Sequence, residues 1–241
     1  MSRYDVERVK WDEKARAFLE RGSDLLLRED YETIFSSFMR LAPIKRFLGD
    51  IDLTAALALD FGCGQGWTSM LLATTGCRVI GFDISEMNVH VAKVTAEYNK
   101  LNNADFTVAD GEKLPFQDGS FDLVFGNAVL HHLRLDACLG EIARVLKPGG
   151  KAAFAEPFGH NLLINLYRLI KHNFIERHHG TDRPLKYADI ETFKRHFPSV
   201  QFQESSFLRD FVPCLRPLER VLLKVPFLRS QVCYVAVLLQ K

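Results

Sequence analysis

The 241-residue chain has no surplus of charge of either sign, with 31 basic residues against 30 acidic ones and a formal net charge of +1. Without a basic excess there is no general attraction to a phosphate backbone, which argues against nucleic acid as a partner. No apolar run reaches the roughly 18 residues that a membrane span needs. The N-terminus, MSRYDVERVKWDEKARAF, is too charged for a signal peptide. Cysteine is sparse and unpatterned. Cys63, Cys77, Cys138, Cys214 and Cys233 are odd in number and form no CxxC pair, so they read as reduced, small apolar fillers. Repeats and low-complexity segments are missing too. These absences lead us to expect a soluble, cytoplasmic protein. What is present is a composition 47% hydrophobic and 25% charged, enough for a sizeable core and unlike that of a disordered chain.

Residues 5–21 and 31–48 mix charged and apolar residues at helical spacing, Ile34, Phe35, Phe38 and Leu41 among them. A strict alternation follows. The runs ALALDF, CRVIGFDI, ADFTVAD, FDLVFGN and GKAAFAE are strand-like, and helical patterns at 67–75, 86–100 and 135–146 lie between them. Short apolar strands alternating with helices predict βαβ units and a parallel sheet covered on both faces. The handedness of crossovers then makes the sheet doubly wound, a Rossmann-like α/β fold. Ser85 is placed to cap the second crossover helix, and Pro148-Gly149-Gly150 to end the one before the fifth strand. Beyond Glu156 we expect a long helix, a polar loop ERHHGTDRP, a helix over 186–196, a strand near 200–209, a helix near 214–225 and a last strand in SQVCYVAVLLQ. The two terminal strands are expected to pair antiparallel. The economical organisation is one domain: a helical cap over 1–50, a core over 51–156, an insertion over 157–197 and a strand–helix–strand over 198–241.

The stretch LALDFGCGQGWTSML runs from a strand through three glycines into a helix. Glycine there lets the backbone bend sharply and approach a ligand. Gly62, Gly64 and Gly66 follow a GxGxG spacing rather than GxGxxG, and no Lys-Ser/Thr pair follows them, which excludes a P-loop. Asp60, just ahead of the turn, would repel a pyrophosphate but suits an amino group. The ligand these residues ask for is a zwitterionic nucleoside without phosphate. Asp83 at the second strand end can accept from a ribose diol, although NAD enzymes place an acid there as well. Asp110-Gly111-Glu112 can read an adenine amino group, and Asn127 ends the fourth strand beside the turn. Ligands of such sheets bind at the carboxyl ends of the strands, so four polar strand tips converge on one crevice.

LDFGCGQG, GFDIS, ADGEKLPF, FDLVFGNAVLHHL and EIARVLKPGG, in this order, resemble the class I S-adenosylmethionine-dependent methyltransferases over about residues 50–156. The resemblance implies a seven-stranded sheet whose last strand inserts antiparallel, and S-adenosyl-L-methionine as cofactor. It implies that Asp60 and the turn, with Phe61 and Cys63, hold the methionine part. Asp83 would bind the ribose, Asp110 with Gly111 and Glu112 would read the adenine, and Ile84 and Met87 would also touch the cofactor. Asn127 and His132 would lie near the sulfonium. The chain lacks an Asn/Asp-Pro-Pro-aromatic motif after the fourth strand, which by the family pattern argues against methylation of nucleic-acid bases or protein amides.

A small-molecule acceptor methylated on oxygen or nitrogen, with carbon less favoured, is the function this predicts. His131 and His132 are candidate bases for a hydroxyl, phenol or amine; the alternative is that one packs inside on the backbone. Glu156 either orients the acceptor or caps the helix after the fifth strand. His160, Tyr167, His178, His179 and Arg183 lie in the insertion, where the family usually builds its acceptor pocket. Glu176, His178 and His179 share one short loop without a second ligand cluster, so no metal is expected. Arg216, Arg220 and Lys224 recur every fourth residue beside Leu218, Leu222 and Val225. Such a helix can lie on an anionic membrane and would suit a lipid-linked or natural-product acceptor, but an ordinary core helix with a solvated basic edge takes precedence. The competing readings are an NAD(P)-dependent oxidoreductase, disfavoured by GxGxG and Asp60, and a non-catalytic cofactor-binding relative.

Overall fold

Strands that bury both faces need no polar alternation, and the five apolar runs fold accordingly as parallel neighbours. The computed structural model describes residues 3–20, 41–49, 51–159, 183–206 and 234–241. In it the runs are β1 (Leu57–Phe61), β2 (Arg78–Asp83), β3 (Ala104–Val108), β4 (Phe121–Asn127) and β5 (Leu146–Pro157). With β6 (Ser199–Ser206) and β7 (Tyr234–Gln240) they form a seven-stranded sheet in the order β3-β2-β1-β4-β5-β7-β6. β7 is antiparallel to both neighbours, pairing Leu238 with Ala153 and Val237 with Phe202. The terminal strands therefore pair as expected, and the more apolar of the two goes inward. Val235 to Leu239 of β7 are all buried, whereas the polar SVQFQESS of β6 takes the edge, where an unpaired side can meet water.

The helices are α1 (Arg3–Glu20), α2 (Ala42–Leu48), α3 (Trp67–Ala73), α4 (Glu86–Tyr98), α5 (Leu135–Val145) and α6 (Ile190–His196). The helix expected over 31–48 is observed in its last seven residues; its first part lies outside the described residues, as do the long helix after Glu156 and the basic helix near 214–225. Ser85 caps α4 as expected, its hydroxyl accepting from Asn88 N at 3.0 Å.

Alternation along the strands sorts the core into two layers. Leu59, Phe61, Val124, Phe154 and Val237 pack with Leu139 and Ile142 of α5 and Phe193 of α6. The opposite face mixes small and large side chains, Ala58, Ala153, Ala155 and Ala236 with Leu123, Phe125 and Leu238, and it receives Ile44 and Leu48 of α2 and Leu72 of α3. Cys63, Cys77 and Cys138 are buried free thiols; Cys214 and Cys233 lie outside the described residues. Among the described residues, no helix is long and apolar enough to cross a membrane.

α1 is different. It buries only Glu7 and Ala15, so it has almost no apolar stripe to hold it. Polar contacts dock it instead: Asp12 Oδ1 accepts from Ser85 Oγ at 2.5 Å and from Met87 N at 3.2 Å, a carboxylate at the positive end of α4.

Gly66 joins the turn to α3 at φ +83°, and a Cβ there would stand 2.9 Å from Ala92 Cβ and 3.0 Å from Phe106 Cε1. Gly119 has φ +62° but nothing within 4 Å of a Cβ. Gly66→Ala is expected to lower the unfolding free energy by about 3 kcal/mol, and Gly119→Ala by about 1 kcal/mol, the backbone strain alone. Denaturant midpoints of the two variants measure the difference.

Candidate active site

The three glycines turn the chain at φ +70°, +53° and +83° and leave its backbone open above the sheet. A Cβ on Gly62 would fall 2.4 Å from Val129 Cγ2, so the turn is pressed against the loop after β4. A Cβ on Gly64 would meet nothing within 4 Å. Cys63 N donates to Phe82 O at 2.8 Å and clamps the turn to β2. Beneath it Asp60 is 2% exposed and accepts from Ser69 Oγ at 2.6 Å. Burial is the main influence on Asp60 and raises its pKa to about 7.

Asp83 ties three segments together. Its Oδ1 accepts from Ser85 N at 2.9 Å and Asn88 Nδ2 at 3.2 Å, and its Oδ2 from Gly64 N at 2.9 Å. Burial raises its pKa as well. At the tip of β3, Asp110 Oδ1 accepts from Glu112 N at 2.8 Å, and Gly111 lets the chain lie against Phe61, 2.7 Å from where a Cβ would be. Glu112 in turn holds Arg134, through its backbone N at 2.7 Å and Nε at 2.6 Å. Asn127 at the end of β4 keeps a buried Oδ1 with no hydrogen-bond partner.

These tips line one cavity of about 540 Å³. Of the residues assigned to the cofactor from sequence, Asp60, Phe61, Gly62, Cys63, Gly64, Asp83, Ile84, Asp110, Gly111, Glu112, Asn127 and His132 border it. Two expected members do not. Gly66 lies against Ala92 and Phe106, and Met87 donates its backbone N to Asp12.

The histidine pair divides. His131 Nδ1 lies 2.8 Å from Glu156 Oε2, away from the cavity, while His132 borders it. Glu156 is fully buried, and its Oε1 accepts from Val129 N at 2.8 Å and Leu130 N at 2.9 Å. The reading in which Glu156 orients an acceptor is therefore corrected: both oxygens are engaged in shaping the turn after β4, where Ala128 sits at φ +55°. Arg183 is likewise displaced from its expected role, because its guanidinium pairs with Asp189 at 2.7 Å on the surface. His160, Tyr167, His178 and His179 lie outside the described residues.

One wall was not legible beforehand. Arg3, Tyr4, Glu7 and Trp11 of α1 border the cavity, Arg3 donating to His132 O and Trp11 Nε1 to Glu7 Oε2 at 3.0 Å. The buried carboxylates and the absence of any lysine or arginine on the glycine turn disfavour a phosphate and favour a cation with hydroxyl and amino donors. The available acceptor on Asn127 fits the same ligand.

Residues 59–154 match the methyltransferase-domain family model. The match takes in the glycine turn and the strand tips that carry Asp60, Asp83, Asp110 and Asn127. The cavity's carboxylates and strand tips suit S-adenosylmethionine, a cation with ribose hydroxyls and amino donors and no phosphate. The sterol 24-C-methyltransferase of Saccharomyces cerevisiae is 39% identical over 103 residues, 42% of this chain and 27% of that protein. The demethylmenaquinone methyltransferase of Lactococcus lactis is 38% identical over 109 residues, 44% and 43% of the two chains. The chain spans less than half the length of the curated relatives it matches. Among solved structures, an S-adenosylmethionine-dependent methyltransferase from Mesorhizobium loti superposes with TM-score 0.62 at 16% identity, covering 86% of this chain and all of that one. Phosphoethanolamine N-methyltransferase 2 of Haemonchus contortus, in complex with S-adenosyl-L-methionine, gives 0.61 at 21%, covering 84% and 52%. These likenesses show the fold.

A cationic ligand prefers Asp60 ionised. Below its raised pKa of about 7, binding must therefore expel a proton. The affinity for S-adenosylhomocysteine, whose ammonium remains positive, is expected to climb with pH by up to tenfold per unit and level off above about 7. Calorimetry from pH 5.5 to 8 should show that slope in the parent and a flat line in Asp60→Asn. Glu156→Ala leaves two buried N–H groups unsatisfied and should destabilise by about 2–4 kcal/mol, read by denaturant unfolding.

Proposed function

We propose that the protein transfers a methyl group to oxygen or nitrogen of a small-molecule acceptor. The observation that carries this reading is the convergence of Asp60, Asp83, Asp110 and Asn127 on one cavity beside a glycine turn, with Asn127 Oδ1 left without a partner. When bound, the cofactor supplies a methyl group already activated on a sulfonium. The chain's own task is then to grip, align and keep water out.

Asp83 retains lone pairs beyond its three protein donors and takes the ribose hydroxyls on them. Asp60 faces the ammonium, and Asp110 reads the adenine amino group. His132, which borders the cavity together with Asn127, receives the acceptor's proton where there is one. Residues 157–197 build the acceptor wall. Support comes from where that segment starts and returns: Phe158 bridges Leu185, and Arg183 N donates to His131 O at 3.1 Å, so both ends meet beside the histidine turn. The relatives' names span sterol carbon and phosphoethanolamine nitrogen, so the acceptor atom is not inherited from any of them. The free buried thiols agree with a cytoplasmic setting.

Calorimetry against S-adenosylmethionine, S-adenosylhomocysteine and NADH tests the cofactor pocket, with Asp83→Ala expected to weaken the first two by about a hundredfold. The NADH arm matters because Tyr167 and Lys171 share a Tyr-x-x-x-Lys spacing, an acid–base pairing suited to hydride transfer. Radiolabelled methyl appearing in a metabolite extract supports catalysis, and its absence with binding intact favours a binding-only protein. Replacing His131 and His132 together with Ala should slow transfer at least about a hundredfold while cofactor affinity holds.

A further inference from the structure

Glu7 is an odd residue to bury. It is 6% exposed on a helix that buries only one other residue, and a carboxylate out of water destabilises the fold unless something compensates it. Three of its neighbours meet at one oxygen. Oε2 accepts from Trp11 Nε1 at 3.0 Å, lies 3.8 Å from Lys10 Nζ, and lies 3.7 Å from His132 Nδ1. The His132 ring is fixed by its neighbours: it meets Trp11 edge-on at 5.6 Å and packs on the His131 ring at 4.0 Å. Among the described residues, each of the two histidines thus stands beside a different acid. His131 and Glu156 lie inside and hold the turn, whereas His132 and Glu7 both border the cavity.

We propose that Glu7 is a positioning residue for His132, and that α1 thereby equips the site for acceptors whose nucleophilic atom carries a proton at neutral pH, such as a hydroxyl, phenol or ammonium group. This rests on the methyl-transfer reading above. The acceptor's X–H bond breaks, the proton moves to the imidazole, and the electron pair stays on X for the new bond to the methyl carbon, whose bond to the sulfonium of a bound cofactor would break with its electron pair left on sulfur. The imidazolium so formed sits beside the Glu7 carboxylate, which offsets its charge and keeps the ring turned; the proton passes to water afterwards. The charged groups around His132 are Glu7 and Arg3 on α1, with Lys10 behind Glu7, His131 beside it, and Glu112 and Arg134 on the facing wall.

The test is labelled methyl transfer into a metabolite extract by the parent, Glu7→Gln and Glu7→Asp, beside the NMR signals of the His132 ring in ligand-free protein. Glu7→Gln should slow transfer about tenfold and shift the His132 ring signals, and Glu7→Asp should restore part of both. Affinity for S-adenosylhomocysteine should stay within about twofold of the parent, because Glu7 serves the acceptor side. Full transfer by Glu7→Gln or unmoved His132 ring signals overturns the proposal, as does a loss of S-adenosylhomocysteine binding as large as that of Asp83→Ala. Failure of the parent protein to bind S-adenosylhomocysteine at all would instead sink the methyl-transfer reading.

Discussion

The carboxylate of Asp83 is the point on which the site depends. It ends β2 and reaches three neighbours: Gly64 in the turn after β1, and Ser85 and Asn88 at the start of α4. Strand tips of a twisted sheet diverge, and the segments that follow them have no ladder to keep them in register. One ion accepting from three sides supplies that register at the crevice. The network continues outward, since Ser85 also donates to Asp12 of α1. A group that engages Asp83 therefore bears on how the N-terminal helix sits, and α1 has little apolar burial of its own to resist.

A second carboxylate does the corresponding work on the far side. Glu156 gathers Val129 N, Leu130 N and the His131 ring, and so holds a turn in which Ala128 takes a left-handed conformation. Strain of that kind survives only where surrounding bonds over-determine it. Its effect is to bring Val129 down onto Gly62, which has no side chain to obstruct it, and to put His132 at the cavity while His131 is withdrawn. Two adjacent histidines thereby acquire different duties.

The names of the relatives cover unlike acceptors, and the family model they share with this chain ends at residue 154. α1 and the segments beyond β5 lie outside that match, where insertions and caps can vary without disturbing the sheet. The α1 wall, with Glu7, Trp11, Tyr4 and Arg3, is the described part of that individual surface.

The strands, their parallel order and the cofactor pocket were legible in the sequence because each rests on local chemistry. Apolar runs bury on both faces, glycine alone tolerates the turn, and Asp60, Asp83, Asp110 and Asn127 stand at strand ends that any doubly wound sheet brings together. Gly66 and Met87 were misplaced because spacing says where a residue falls along the chain and not which way it faces. Glu156 and Arg183 looked available because nothing in a linear text shows that Val129, Leu130 and Asp189 would occupy them. The wall formed by α1 is the largest difference. Its docking consists of single polar contacts between residues more than seventy positions apart, Asp12 to Ser85 and Arg3 to His132, and such pairs leave no periodic trace. The chain's own order of residues decided the cofactor half of the site; only folding, by setting distant side chains within hydrogen-bond reach, decided the other.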